Sequence, residues 1–166
     1  MIAMLTLETD VTSQVLPHMV EEGQGTIIFT GATASLRGSV GFVPLAVPKF
    51  ALRGLVQSMA REFQPKVSLW SLFKMQLLIC RSLHTFHARH TTTSLRVLLL
   101  SQGIHVSHVL IDGQVALERT MTKFKDRPED SFLDPAAIAD VYWSLHTQHK
   151  TTWTHEMDLR PYVEKF

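Results

Sequence analysis

The sequence predicts an α/β fold built on a parallel sheet, and three observations carry that expectation. Two short runs, Thr26 to Thr30 (TIIFT) and Gly103 to Ile111 (GIHVSHVLI), are β-branched and almost continuously apolar, as strands covered on both faces are. Between and after them the apolar residues recur at three- and four-residue steps, the period of an amphipathic helix. Strands that alternate with helices need crossover connections, and these make neighbouring strands parallel.

The elements follow in order. Thr12 to Val20 carries Val15, Leu16, Met19 and Val20 at helical spacing around Pro17, with Gly23 beyond, which predicts a helix ending near Val20. The strand Thr26 to Thr30 comes next. Gly31 to Gly41 is rich in Gly, Ala, Ser and Thr, a loop at the carboxyl end of a strand, where open α/β sheets place their ligands. That loop is the first functional candidate. From about Pro48 to Phe63, Phe50, Leu52, Leu55, Val56, Met59, Ala60 and Phe63 recur at three- and four-residue steps and lie mostly opposite Arg53, Gln57, Arg61 and Glu62, which predicts the second helix. The strand Gly103 to Ile111 ends at the turn pair Asp112 and Gly113. Pro135 to His146 predicts a third helix with Asp134 as its N-cap, and Thr152 to Leu159 a last short strand.

Residues 67–101 stand outside this scheme, because helix-to-strand connections in α/β folds usually need about 2 to 6 residues. They read as an insertion in a chain that otherwise forms a single domain over residues 1–166.

Composition narrows the function classes. With 45% hydrophobic and 19% charged residues, the 166-residue chain has the makings of a globular core, not of a disordered or fibrous protein. Lys and Arg number 16 against 15 Asp and Glu, a formal net charge of +1, which argues against nucleic acid as the partner. The single cysteine, Cys80, excludes an internal disulfide and points to a reducing compartment, the cytoplasm. Met1 to Leu7 lacks a basic leader, and Val67 to Leu83 is interrupted by Lys74, Gln76 and Arg81 and falls short of the roughly 20 apolar residues of a span. Neither an export signal nor a membrane segment is expected.

Taken together, VLPHM (Val15 to Met19), GTIIFTGATASLRG (Gly25 to Gly38), KFALRGLVQSMARE from Lys49, GIHVSHVLIDG (Gly103 to Gly113) and the tail AIADVYWSLHTQHKTTWTHEMDLRPY (Ala137 to Tyr162) resemble, in order, the second half of a short-chain dehydrogenase/reductase. The resemblance implies a Rossmann-type parallel sheet, here a partial one lacking the N-terminal dinucleotide-binding strands. It also implies NAD or NADP as cofactor, and hydride transfer between the nicotinamide and a small carbonyl or alcohol. TGATASLRG mimics the family's glycine-rich loop, but Ser35 and Arg37 stand among the positions where later glycines are required.

The family's core motif is a tyrosine, three residues and a lysine. The tyrosine is the general acid/base, and the lysine one helical turn on lowers its pKa and contacts the nicotinamide ribose. Lys49 matches the lysine, but the tyrosine position is Leu45. The family's serine falls on Ala32, with Ser35 a displaced substitute, and its asparagine falls near Met4. The loop after the second strand packs on the nicotinamide in the family, which implies Gly113 and Val115 as cofactor contacts. Family members dimerise through the lysine helix, so helix 48–63 is the implied surface for a homodimer or heterodimer.

Several readings stay open. Lys49 is either a cofactor contact or a solvated lysine in the first helical turn; Ser35 either touches substrate or forms a turn. Cys80, His84, His87 and His90 have a spacing that suits zinc on one helix face, yet packed or solvated histidines are the preferred reading and no metal is expected. His105 and His108 read as structural. The functional expectation is an NAD(P)-dependent oxidoreductase of this family, weak or inactive because the proton-transfer groups are replaced. The alternatives are a non-catalytic dimerisation partner and a truncated product carrying unspliced sequence at 67–101. In a chain starting midway through such a domain, Thr26 to Thr30 would present an apolar parallel edge.

Overall fold

The computed structural model describes residues 2–64 and 103–164. Residues 67–101, expected as an insertion, with Cys80, His84, His87 and His90, lie outside them.

Helix α1 spans Ile2–Glu22, well upstream of the expected start at Thr12. Ala3, Met4, Leu5, Leu7 and Glu8 are strong helix formers, and no breaker separates them from Thr12. Pro17 is tolerated inside it at the loss of one main-chain donor. The helix stops at Gly23, whose φ of 63° is a left-handed value that glycine adopts without strain. The Gly23 and Gln24 amides donate back to Val20 O and Met19 O at 3.3 and 3.2 Å.

Strand β1, Gly25–Ala32, runs parallel to β2, Ile104–Ile111, in register from Gly25 opposite Ile104 to Ala32 opposite Ile111. The last strand, β5, Glu156–Leu159, pairs in parallel with the other side of β2, from His108 opposite Glu156 to Ile111 opposite Leu159. It is shorter than expected, since Lys150–Thr152 forms a 3-10 turn instead. The order β1-β2-β5 leaves β2 central, which is why its residues are buried from Ile104 through Leu110. It also leaves β1 at an edge.

Side chains alternate across a strand, so the two faces of β1 receive different helices. Helix α2, Val43–Phe63, packs Leu52, Val56, Met59 and Ala60 on Phe29, Ile104 and Val106, with Leu16, Met19 and Val20 of α1 joining this core. Helix α4, Pro135–Thr147, covers the opposite face. There the Tyr142 hydroxyl meets Thr30 Oγ1 at 2.8 Å, and His146 Nδ1 lies 3.1 Å from Thr26 Oγ1. The result is helices, sheet and helix in three layers, the partial Rossmann-like α/β arrangement that was expected. Asp134 caps α4 as its sequence predicts, its carboxylate accepting from Ala136 N at 3.0 Å.

The start of α2 departs from expectation. The helix begins at Val43, not at Pro48, because Pro44 takes a first-turn position that needs no N–H. Pro48 therefore lies inside the helix, and Leu45 is a helical residue one turn before Lys49. After β2 a two-stranded parallel ladder pairs β3, Gln114–Val115, with β4, Phe132–Leu133, and the short helix α3, Glu118–Lys123, lies between them in sequence.

Candidate functional site

The carboxyl ends of β1 and β2 open into a cleft of about 510 Å³. Ala32 and Thr33 form one wall with Leu45 of α2, and Ile111, Asp112 and Gly113 form the other. This is the position at which an open parallel sheet presents ligand-binding loops. The loop expected from Gly31 onward contributes through a 3-10 turn, Thr33–Ser35, closed by Leu36 N and Arg37 N donating to Thr33 O at 2.9 and 3.1 Å. The Thr33 hydroxyl donates to Asp112 Oδ1, which ties the end of β1 to the end of β2. Asp112 is fixed from below as well: its amide donates to Leu159 O at 2.8 Å, and Arg160 stands 3.4 Å from its other carboxylate oxygen.

Of the four expected site residues Lys49, Ser35, Gly113 and Val115, Gly113 alone lines the cleft, and Leu45 and Ala32 line it too. Lys49 is only 6% exposed, and its ammonium donates to Thr30 O at 2.8 Å and pairs with Glu8 at 3.5 Å. It is thus neither a solvated lysine nor one of the residues lining the cleft. Ser35 is fully buried, its hydroxyl accepting from Ala32 N at 3.2 Å. The main chain of Val115 is spent on the ladder with Leu133 and on Leu117 N, which donates to Val115 O at 2.8 Å. Glycine at 113 answers a packing need, since a Cβ there would come within 2.8 Å of Pro161 Cδ. Of the three expected cofactor contacts, Gly113 lines the cleft, and Lys49 and Val115 are not among its lining residues.

Beneath the cleft lies a polar network among the apolar residues of the α2 side. Arg53 of α2 grips Glu156 of β5 with two hydrogen bonds of 2.6 and 2.7 Å, and Glu156 lies 2.9 Å from Nδ1 of the wholly buried His108. The Arg53 guanidinium, more than the His108 ring, holds the Glu156 carboxyl down to about 2 from a usual 4.5. In return Glu156 raises Arg53. The free edge of His108 points at Gly31: a Cβ on Gly31 would lie 2.3 Å from His108 Nε2 and 2.9 Å from Ser35 Oγ. On the opposite sheet face His105, also buried, has Leu145 O at 3.0 Å from Nδ1 and Thr154 O at 2.9 Å from Nε2, and stacks on Trp153 at 4.9 Å. Both histidines read as structural from sequence, and both are embedded as core groups. The network itself had one signal in the sequence: polar His105, Ser107 and His108 interrupt an otherwise apolar strand.

Among the described residues no group of His, Cys, Asp and Glu is arranged to hold a metal ion, and no helix is long and apolar enough to cross a membrane.

A family profile described as short chain dehydrogenase matches residues 6–72. The 3-ketodihydrosphingosine reductase of Dictyostelium discoideum is 39% identical over 56 residues, which are 32% of this chain and 17% of that protein. A solved short-chain dehydrogenase from Rhodopseudomonas palustris is 36% identical with a TM-score of 0.50, covering 87% of this chain and 42% of that one. A second solved structure, a short chain dehydrogenase/reductase family protein, is 17% identical with a TM-score of 0.59 over 91% of this chain and 50% of that one, a likeness of fold. The chain thus spans half or less of the length of these relatives.

Proposed function

We propose that this chain, which is similar to short-chain dehydrogenases, is a catalytically silent member of the short-chain dehydrogenase/reductase family: an oxidoreductase-type ligand cleft without a proton relay. The family works with NAD or NADP, and hydride transfer needs a group that gives or takes the substrate oxygen's proton. The observation that carries the reading is Leu45 on the cleft wall, where the family's tyrosine would stand. Its hydrocarbon side chain holds no proton, and Ala32 beside it offers no hydroxyl to orient a carbonyl. Loss of general acid/base catalysis alone costs about 10²- to 10⁴-fold in rate, or about 3 to 5 kcal/mol of barrier. The cleft retains the means to bind and orient a small molecule: the hydrogen-bonded pair Thr33 and Asp112, with apolar Ala32, Leu45 and Ile111 and polar Ser39 and Gln114 around them.

The test is a turnover assay of the 166-residue chain with NADH and with NADPH, using a 3-keto sphingoid base, as the Dictyostelium relative suggests, and simple ketones. Reduction at the uncatalysed background rate is expected. Turnover within tenfold of ordinary enzyme rates, about 10 s⁻¹, would overturn the reading.

A second reading, that the chain acts as a dimerisation partner, is favoured by a specific feature of α2. Val43, Val47 and Phe50 are 63%, 53% and 46% exposed and recur at i, i+4 and i+7, an apolar stripe on one helix face. It lies toward the start of α2, overlapping helix 48–63 only at Phe50. Sedimentation should show a dimer that Phe50→Glu dissociates; a monomer at all concentrations, alone and with a complete family member, would reject it.

A further inference from the structure

The rim of the cleft carries apolar side chains where a water-facing turn normally carries polar ones. Residues 39–42 form a turn closed by Phe42 N donating to Ser39 O at 3.0 Å, with Gly41 at a φ of 80°. Turn corners favour Pro, Asn, Asp, Ser and Gly, yet this one is Val40, whose side chain is wholly exposed. Leu36 and Phe42 on either side of it are exposed as well.

Across from the turn stands α3. A hollow of about 540 Å³ lies between them, with Phe42 on one side and Arg119, Lys123 and Phe124 on the other. Leu117 and Met121, four residues apart and so on one face at the start of α3, are both exposed. Cations are set among these apolar groups. Residues 36–42 and 117–127 hold five exposed cations, Arg37, Arg119, Lys123, Lys125 and Arg127, against two acids, Glu118 and Asp126, in a chain whose formal net charge is +1. The cleft behind the rim adds Glu164 and Asp112, the latter already engaged by Thr33 and Arg160. Lys123 Nζ and Arg127 Cζ each lie 5.2 Å from the centre of the Phe124 ring, charged heads beside an apolar body.

A protein partner and a bilayer ask different things of such a rim. Protein interfaces gather their apolar residues at a centre and deplete lysine there. On this rim apolar and cationic residues interleave along both segments. That pattern suits a lipid surface, where apolar groups sink about 5 to 10 Å into the headgroup boundary and cations stay among anionic headgroups.

We infer that residues 36–42 and 117–127 dock the chain peripherally on an anionic lipid surface, with Val40, Phe42, Leu117 and Met121 entering the headgroup layer. Such a contact needs no spanning helix, and it holds whether or not the cleft turns over a substrate.

Co-sedimentation of the 166-residue chain with vesicles tests it. Binding is expected to vesicles of equal parts phosphatidylserine and phosphatidylcholine, and far less to phosphatidylcholine alone. It should weaken as salt rises from about 0.01 to 0.15 M and the screening length falls from about 30 to 8 Å. Val40→Asp should weaken binding by about tenfold or more, and Lys125→Gln by about fivefold. Trp143→Ser, an exposed apolar residue of α4 outside both the cleft and the hollow, should leave it unchanged. The replaced side chains are exposed, and an unaltered thermal transition verifies that each variant is folded. No binding to the anionic vesicles at low salt, equal binding to both kinds of vesicle, or binding that Val40→Asp and Lys125→Gln leave intact would overturn the inference. So would a dimer, formed without lipid and dissociated by Val40→Asp, which would assign the rim to a second copy of the chain instead.

Discussion

The ammonium of Lys49 donates to the main-chain oxygen of Thr30 at 2.8 Å, and Glu8 closes over it at 3.5 Å. Three elements meet at this one cation: α2, which carries it, the edge strand β1, and α1. A buried ammonium is tolerated only with such partners, and here they are both internal to the fold. The residue that most identifies the family from sequence thus serves in this chain as a clip between helix and sheet.

Removing that clip should be felt in stability. Lys49→Met is expected to lower the unfolding free energy in urea by about 1 to 3 kcal/mol, since a charged hydrogen bond is lost from a buried site. Glu8→Gln should cost less, under about 1 kcal/mol, because its contact is longer and Glu8 is partly exposed. An unchanged midpoint for Lys49→Met would contradict the structural role.

Glu156 makes the fold sensitive to acid. Its carboxyl is held at about 2 in the folded chain against 4.5 ordinarily, chiefly by Arg53. A depressed carboxyl contributes stability that is fully present above the unfolded value and is lost as pH falls through the folded one. The loss therefore falls between about pH 4.5 and 2, and amounts to at most about 3 kcal/mol. Denaturation curves measured across that window should flatten in Glu156→Gln, at the cost of a lower plateau near neutrality.

Two glycines should respond in opposite senses to alanine. At Gly31 the new methyl would meet the buried His108 ring at 2.3 Å, with Ser35 Oγ at 2.9 Å, so Gly31→Ala is expected to cost about 1 to 3 kcal/mol. At Gly54, within α2, nothing lies within 4 Å of an added Cβ. Gly54→Ala should stabilise by about 0.5 to 1 kcal/mol through helix propensity. Thermal melts of the pair decide it.

His105 bridges α4 to the segment before β5 through its two ring nitrogens and stacks on Trp153. His105→Ala removes the stacked ring and leaves two carbonyls without it. A loss of about 2 to 4 kcal/mol is expected, read by chemical denaturation. Trp153 fluorescence should shift with it, because the indole loses its stacking partner.

Much of the fold was legible before any coordinates. β1 and β2 announce themselves because a strand covered on both faces must be apolar throughout, and Asp134 before Pro135 is local helix-start grammar. The family likeness was legible for the same reason, being an order of short patterns. The start of α2 was not, since Pro48 suggested a boundary that Pro44 had already supplied one turn earlier. The β3–β4 ladder was not either: two-residue strands carry no period to read.

For the site the division is sharper. The sequence by itself determined that Leu45 and Ala32 offer no proton-carrying group, because they are chemical identities that no folding alters. It also determined the partial parallel sheet, whose strands and helices are written in nearest-neighbour patterns. Only the tertiary structure decided what Lys49 does, since its partners Thr30 and Glu8 lie 19 and 41 residues away. Likewise it joined Arg53 to Glu156 across 103 residues. The physical reason is one of range: backbone preference and hydrophobic period act over a few residues, whereas a charge is satisfied by whatever packing brings within about 4 Å.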